Sequence, residues 1–140
     1  MEKPTAGQLM KRINDAIEKR ANNMLRSDGL TMSQVWVLMN LMSAEHGVMP
    51  LKAVERSLAV SQPTAAGIVS RLEEKGLVCS WMDDGDRRVK LVSLTESGLQ
   101  AVQKAEKDVE DLQKDLLSGF TEEEQAQYES FLSRIYQNIK

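Results

Sequence analysis

The 140-residue sequence predicts a mainly α-helical protein with one small β-hairpin, which is an α+β fold. Apolar residues recur at the three- to four-residue spacing of amphipathic helices through most of the chain. Two short β-forming runs flank an acidic turn at residues 83–86, and a helical segment directly precedes them. Helix, hairpin and a further helix in this order are typical of a winged helix-turn-helix, here with N- and C-terminal helices added.

Three amphipathic helices are predicted in the first sixty residues. The apolar stripe of the first contains Leu9, Ile13, Ala16, Ile17 and Met24. The second begins after Thr31 or Ser33 as its N-cap. Its apolar residues are Val35, Leu38, Met39 and Met42, with Trp36 beside them. The third is short and places Leu51, Val54 and Leu58 on one side. Together these stripes predict one shared core.

A fourth helix is predicted to begin after Ser61, which is a suitable N-cap. Pro63 is compatible with the first turn, where its missing N–H group has no helical partner. The buried stripe is expected to contain Ala65, Ile68, Val69 and Leu72. Lys75 and Gly76 end the helix, because glycine suits the left-handed position that follows a helix C-terminus.

The opposite face of this fourth helix differs from an ordinary solvated surface. It and its flanks carry small or hydrogen-bonding side chains, namely Gln62, Pro63, Thr64, Ala66, Gly67, Ser70 and Arg71. Glycine inside a helix costs about 1 kcal/mol relative to alanine, so a requirement other than helix propensity is expected at Gly67. Close approach of a DNA backbone or base edge would meet that requirement. The alternative is that these small residues pack against another helix.

The hairpin is predicted to consist of strands at Leu77–Met82 and Val89–Leu94, with apolar residues on both faces of the first strand. Its tip holds Asp86, Arg87 and Arg88. Arginine suits a narrow DNA minor groove, where negative potential is concentrated. An adjacent carboxylate can hold the guanidinium in one rotamer through charge-assisted hydrogen bonds. A solvated tip with an incidental ion pair is the alternative.

Two helices are predicted in the C-terminal third. The first runs from Thr95 to about Leu117 and is roughly 30 Å long, from the helical rise per residue. The second follows a capping box at Thr121–Glu124. Its wide apolar face contains Tyr128, Phe131, Leu132, Ile135, Tyr136 and Ile139. Because one chain can hardly cover this face, residues 1–30 and 95–140 are predicted to form a dimerisation unit around a DNA-binding region at residues 31–94. The alternative is that these helices fold back on their own domain.

The composition, 41% apolar and 28% charged, is typical of a single globular domain. No apolar run is long enough for a membrane span and no signal-peptide pattern opens the sequence, so a cytoplasmic location away from membranes is expected. The net charge of −3 arises at the C-terminal end, since residues 95–140 hold five Lys/Arg and ten Asp/Glu residues. Binding to DNA is expected to be strongly salt-sensitive, because each phosphate contact releases counterions.

Few residues in the sequence suit catalysis or metal binding. Cys79 is the only cysteine, which excludes an intramolecular disulfide, and its apolar strand predicts an inert, buried thiol. His46, the only histidine, is expected in a loop with a capping or solvated role. No Ser/His/Asp arrangement, glycine-rich phosphate loop or metal-ligand spacing accompanies them. The prediction is a protein that is not an enzyme and that holds neither metal nor cofactor.

Four motifs in register resemble the MarR family, the multiple-antibiotic-resistance-type bacterial repressors. A Leu-Thr-x-x-Gln motif at Leu30–Gln34 opens the second helix, and a Ser-x-x-Thr motif at Ser61–Thr64 opens the fourth. Arg-Leu-Glu-x-x-Gly-Leu-Val follows at Arg71–Val78. The hairpin carries Asp-x-Arg at Asp86–Arg88 and ends in Leu-Thr-x-x-Gly at Leu94–Gly98. The resemblance covers the middle of the chain, and the overall length and helical ends also fit.

The resemblance implies a homodimer that binds a pseudo-palindromic operator in double-stranded DNA, with the fourth helix of each subunit in the major groove. Arg88 would reach the flanking minor groove while Asp86 holds it. Many relatives release DNA when a small aromatic acid, a metal or an oxidant binds. A reactive cysteine in the N-terminal helix and a His/Cys/Glu cluster are absent, which favours a small aromatic or apolar effector. Met39 and Met42 suit an adaptable cavity for it, although methionine at helical spacing is more often core filler; no effector residue is assigned.

The predicted function is sequence-specific DNA binding by a homodimeric regulator of transcription, most simply a repressor. The predicted DNA-binding residues are Ser61, Gln62, Pro63, Thr64, Ala66, Gly67, Ser70, Arg71, Asp86, Arg87 and Arg88. Phosphate contacts are expected to set the position on DNA, while Gln62 and Thr64 touch base edges. The alternative is a winged-helix protein-interaction module without direct DNA reading. Retention on heparin or bulk DNA at low salt, lost as the salt concentration rises, would distinguish the two.

Overall fold

The structure is a computed structural model that describes residues 2–140. The α-helices in this range are α1 (Ala6–Leu25), α2 (Met32–Ser43), α3 (Leu51–Leu58), α4 (Gln62–Glu74), α5 (Glu96–Leu116) and α6 (Glu122–Ile139), with short 3-10 helices at Arg26–Asp28 and Glu45–Gly47. The strands are β1 (Val48–Pro50), β2 (Val78–Met82) and β3 (Lys90–Leu94). The predicted mainly α-helical fold with a small β-hairpin is confirmed.

Side-chain caps fix the starts of five helices, including α5, where the Thr95 hydroxyl accepts from the Gly98 N–H group at 3.0 Å. Thr31 is the N-cap of α2 and forms a capping box with Gln34, so Ser33 is not the cap. Thr121 and Glu124 form the predicted box at the start of α6, and Ser61 caps α4 as expected. Thr5 caps α1 in the same way and forms a capping box with Gln8, which was not predicted. These local signals explain why the helix starts are predictable from sequence.

The sheet has three antiparallel strands in the order β1-β3-β2. Strand β1 was not predicted, because its three residues have no alternating pattern of their own and pair only with β3, Val48 opposite Ser93. Apolar residues lie on both faces of β2, as predicted, but only part of the strand is buried. Val78 is buried, but Trp81 and Met82 are roughly half exposed, since the outer half of the hairpin extends beyond the core.

The core of the first compact unit, which extends to Val109, is built around α2. Its buried residues include Leu25, Val35, Val37, Leu38, Leu41, Val54, Val69, Leu72, Val78, Val92, Val102 and Ala105. The N-terminal half of α1 contributes little, since only Ala21 and Leu25 of this helix are buried while Leu9 and Ile13 are exposed. The apolar stripe predicted for α1 is therefore only partly covered by this chain.

The start of α5 is held against the turn between α4 and β2. The Thr95 hydroxyl donates to the Gly76 carbonyl at 2.6 Å, and the Thr95 N–H group donates to the Leu77 carbonyl at 3.1 Å. A Cβ at Gly98 would lie 1.9 Å from the Leu77 carbonyl oxygen, so only glycine fits there. This packing gives a physical reason for both the threonine and the glycine of the Leu-Thr-x-x-Gly motif at Leu94–Gly98.

The second compact unit, Glu110–Lys140, contains the end of α5 and all of α6. The apolar side chains predicted to form the wide face of α6 are all exposed in this chain: Tyr128, Phe131, Leu132, Ile135, Tyr136 and Ile139. Across residues 2–140, no helix combines the length and the apolar character that a membrane span requires.

Candidate DNA-binding surface

Helix α4 buries one side and presents the other to solvent, as its sequence predicts. Ala65, Val69 and Leu72 are buried. The residues predicted for the DNA-facing side are all exposed: Ser61, Gln62, Pro63, Thr64, Ala66, Gly67, Ser70 and Arg71. The Ser61 hydroxyl accepts from the Thr64 N–H group at 3.4 Å and lies 2.9 Å from the Thr64 hydroxyl. The structure therefore gathers the predicted helix residues on one accessible surface.

Gly67 lies in the middle of this surface. An added Cβ at this position would meet no atom of the described chain within 4 Å. Packing inside the chain therefore provides no reason for glycine, in contrast to Gly98. The open space in front of Gly67 is instead available to a molecule that approaches α4 from outside.

The C-terminal end of α4 is tightly defined. Gly76 adopts a left-handed conformation with φ of +74°, and its N–H group donates to the Glu73 carbonyl at 2.9 Å. The Leu77 N–H group donates to the Leu72 carbonyl at 3.0 Å, which completes a Schellman motif. The predicted helix end is confirmed, and it directs the chain into the hairpin.

The hairpin tip contains the expected ion pair. Asp86 accepts hydrogen bonds from the backbone N–H group and from Nε of Arg88 at 3.0 and 3.1 Å. The hydrogen bonds from the Arg88 side chain, and next the one from its backbone, hold the pKa of the Asp86 carboxyl below its ordinary value. The Arg88 side chain is nevertheless 92% exposed, and Arg87 is exposed beside it. The guanidinium is thus oriented but accessible.

Two residues at the end of α4 make contacts that the sequence analysis did not assign. Lys75 donates through Nζ to the Gly29 carbonyl and, at 3.2 Å, to Oε1 of the buried Gln34. Glu73 contacts both strands of the hairpin through its carboxylate. Both residues lie within the Arg-Leu-Glu-x-x-Gly-Leu-Val motif at Arg71–Val78. Their partners lie outside the motif, so the motif alone does not identify these contacts.

The burial predicted for Cys79 is wrong, whereas the exposure predicted for His46 is confirmed. The expectation of a buried thiol is wrong, because Cys79 is exposed on β2, with its Sγ 3.3 Å from the Ser93 hydroxyl. Alternation along the strand turns Val78 into the core and its neighbour Cys79 outward. His46 is solvated as predicted, 3.7 Å from the Glu45 carboxylate. Within residues 2–140, no group of three or more His, Cys, Asp or Glu side chains is arranged to hold a metal ion.

An open cavity of about 420 Å³ lies where the end of α2, the start of β1, the end of β3 and the start of α5 meet. Leu41, Met42, Val48, Leu94 and Leu99 form its apolar lining. The remaining lining residues are His46, Gly47, Ser93, Thr95 and Glu96. Met42 thus borders a cavity as the sequence suggests, and both Met39 and Met42 pack against the core.

Comparison with protein families finds that the model described as the MarR family matches residues 28–88, which extend from the turn after α1 to the hairpin tip. Among curated proteins, the HTH-type transcriptional regulator YwaE of Bacillus subtilis (strain 168) is 27% identical over 93 residues, 66% of this chain. The matched region spans 54% of the length of YwaE, so this relative extends well beyond it.

Three solved structures resemble the whole fold. The S. aureus MepR–DNA complex has a TM-score of 0.92 at 23% identity, covering 98% of this chain and 100% of MepR. The MarR C80S mutant from E. coli, complexed with operator DNA, has a TM-score of 0.83 at 25% identity, covering 92% of this chain and 91% of the MarR chain. Bordetella bronchiseptica BpsR, whose DNA binding is regulated by 6-hydroxynicotinic acid, has a TM-score of 0.84 at 25% identity, covering 94% of this chain and 93% of the BpsR chain.

Proposed function

We propose that this chain is a regulator of the MarR family, whose model matches residues 28–88, and that it acts as a homodimeric, sequence-specific DNA-binding repressor. One observation carries the proposal: the exposed face of α4, with its small and hydrogen-bonding side chains, lies in one compact unit with a hairpin whose Arg88 is oriented by Asp86. The MarR mutant from E. coli in complex with operator DNA has the same fold. These features favour regulation of transcription over an enzymatic role, and the cytoplasm is the proposed location of the protein.

In the proposed complex, α4 lies in the major groove. Gln62 and Thr64 contact base edges near the start of the helix, and Ser61 and Arg71 contact phosphates. Pro63, Ala66, Gly67 and Ser70 allow close approach because their side chains are small or compact. At the wing, Arg87 and Arg88 approach the flanking minor groove, and Asp86 limits the rotamers of Arg88.

The proposed dimer forms through residues 1–30 and 95–140, while residues 31–94 bind DNA. The exposed apolar side chains of α1 and α6 support this division, because a symmetric partner that uses the same surface would remove them from water. A two-fold dimer would place its two α4 helices in successive major grooves of a pseudo-palindromic operator.

Control by a small aromatic or apolar effector is the proposed mode of regulation. Effector-responsive repression is the known mode of the family, and BpsR responds to an aromatic acid. Thermal unfolding of the protein with a panel of aromatic acids would identify a ligand as a compound that raises the unfolding temperature. The same compound would be expected to weaken operator binding.

Selection of bound sequences from a random DNA pool by the purified dimer tests the central proposal. The expected result is an enriched inverted repeat with half-sites about one helical turn apart. A folded dimer that enriches no sequence at low salt would contradict DNA recognition and favour the protein-interaction module. When DNA binding is measured again at rising salt concentrations, the fraction of DNA bound is expected to fall steeply, because phosphate contacts release counterions.

A further inference from the structure

The carboxylate of Glu73 joins the end of α4 to both strands of the wing. It accepts a hydrogen bond from the Ser80 hydroxyl in β2, and its Oε1 lies 3.9 Å from Nζ of Lys90 in β3. In the hairpin register Ser80 is opposite Val92, and Met82 is opposite Lys90. Because side chains alternate along a strand, Ser80 and Lys90 lie on the same face of the hairpin as the buried Val92.

This contact lies between the two parts of the proposed DNA-binding surface. The backbone connects α4 to β2 only through the turn at Lys75–Leu77, at the base of the hairpin. Arg88 lies near the opposite end, two residues before Lys90. Val78 packs in the core near the base, whereas Trp81 and Met82 are half exposed. Val92, which lies opposite Ser80, is also buried, so the core holds the hairpin as far as that pair. Through Lys90, which lies opposite the half-exposed Met82, Glu73 is placed to restrain the hairpin just beyond that pair.

Neither the stability of the Glu73–Lys90 ion pair nor DNA contact accounts well for a glutamate at this position. The Glu73 and Lys90 side chains are 35% and 40% exposed, and ion pairs with this exposure contribute little to stability. A carboxylate close to a DNA-binding surface is also repelled by phosphates, which lowers affinity. A role in fixing the geometry of the wing accounts for the residue where those two roles do not.

We propose that Glu73 is a positioning residue that fixes the wing relative to α4, so that Arg88 and α4 engage adjacent grooves together. Glu73 touches no DNA and acts through Ser80 and Lys90. This inference rests on the proposed function, because it concerns the same DNA-binding surface. It predicts that Glu73 matters for affinity only while Arg88 is present.

A double-mutant cycle tests this dependence, with wild type, Glu73→Ala, Arg88→Ala and the double variant measured on the selected operator at one salt concentration. Glu73→Ala is expected to weaken binding about tenfold with Arg88 present and to have almost no effect in the Arg88→Ala background. Glu73→Gln is expected to lose less operator affinity than Glu73→Ala, since the amide oxygen of glutamine still accepts a hydrogen bond from the Ser80 hydroxyl. Glu74→Ala is the matched control, because it removes the same charge from an exposed neighbour in the same helical turn.

Charge repulsion alone predicts the opposite change in operator affinity for Glu73→Ala. Removing a carboxylate near DNA reduces its repulsion of the phosphates and so strengthens binding. Unchanged or tighter binding by Glu73→Ala would overturn the positioning role. An equal loss in the wild-type and Arg88→Ala backgrounds would also overturn it, since the effect would then be independent of the wing. Circular dichroism and the unfolding temperature confirm that each variant is folded.

A measurement without DNA separates failure of this inference from failure of the proposed function. Spin labels are attached to Ala66→Cys on α4 and Asp84→Cys on the hairpin, in a Cys79→Ser background. Glu73→Ala is expected to broaden the distribution of distances between the labels, and Glu74→Ala is expected to leave it unchanged. A distribution that stays equally narrow in Glu73→Ala would refute the positioning role even if the wild-type protein enriched no operator.

Discussion

Asp86 restrains Arg88 through hydrogen bonds to both its backbone and its side chain, yet both residues belong to an exposed hairpin tip. An exposed ion pair of this kind adds little to folding stability. Its physical effect is to restrict the rotamers of a guanidinium that remains free to bind an anion. The arrangement supports a binding role for Arg88 more than a structural one.

Arg88→Ala is expected to weaken operator binding by about 1–3 kcal/mol, the usual range for loss of a specific arginine contact to DNA. The unfolding temperature should remain close to that of wild type, because the side chain is 92% exposed. Fluorescence anisotropy at moderate salt, paired with thermal unfolding, measures both. If the variant bound as tightly as wild type, the wing role would be wrong.

The Asp86–Arg88 pair also predicts a pH dependence. Its hydrogen bonds lower the folded-state pKa of Asp86 below the ordinary value of 3.8. The stability contributed by the pair is therefore present above about pH 3.8 and is lost as the pH falls through the lower folded pKa. Carboxyl-carbon NMR titration should find the Asp86 pKa below 3.8 in wild type and returned toward it in Arg88→Ala. Identical titration in both proteins would show that the pair does not form in solution.

Gly67 offers a test in which stability and function move in opposite directions. Gly67→Ala is expected to stabilise the fold by about 1 kcal/mol, since the helix gains propensity and a Cβ meets open space. Operator affinity is expected to fall from glycine to alanine and fall further in Gly67→Leu, because each side chain keeps DNA at a greater distance. Denaturant unfolding and anisotropy measure the two quantities. Equal affinity for all three residues would contradict close approach at this position.

At the level of helices and strands, the junction of α4, β2 and α5 depends on backbone proximity. Thr95 donates to the Gly76 carbonyl, and Gly98 packs against the Leu77 carbonyl. The start of α5 is thus seated on the turn that leads into the wing. This contact fixes the hairpin at its base, where the core also holds it.

Gly98→Ala is expected to destabilise the first compact unit by about 1–3 kcal/mol or more, because the new Cβ would collide with a backbone oxygen that no side-chain rotation can move. Denaturant unfolding at fixed protein concentration measures the loss. Gly67→Ala serves as the comparison, since it adds the same methyl group to a helix without a clash. Equal stability of Gly98→Ala and wild type would contradict this packing.

For the chain in its entirety, the exposed apolar face of α6 is the feature that a single copy does not explain. Ile139 is 80% exposed, and the neighbouring Ile135 and Phe131 are also exposed. Apolar side chains concentrated on one helix face are typical of an interface. The proposed dimer gives them a partner surface of the same kind.

Ile135→Glu is expected to shift the protein from dimer to monomer, because an unpaired carboxylate would be buried at the interface. Light scattering after size-exclusion chromatography measures the mass over a range of concentrations. Gln137→Glu, which adds the same charge at an exposed position on the opposite side of α6, should remain dimeric. A monomeric wild-type protein, or an Ile135→Glu variant that stays dimeric, would contradict the proposed interface.

The helices, their caps, the hairpin and the helix face at residues 61–71 follow from the order of amino acids alone. These features depend on neighbours three or four residues away or on turn chemistry, and such interactions are visible in a linear pattern. The Asp86–Arg88 pair was predictable for the same reason, since its members are two residues apart.

Features that depend on distant partners became visible only in the folded chain. Strand β1 forms because β3 provides its hydrogen bonds, and Cys79 is exposed because only one face of the hairpin meets the core. Lys75 bonds to a carbonyl 46 residues earlier, and Glu73 contacts strands that follow it across a turn. One cause is common to all four cases: burial and long-range pairing are properties of the packed chain, and no local spacing encodes them.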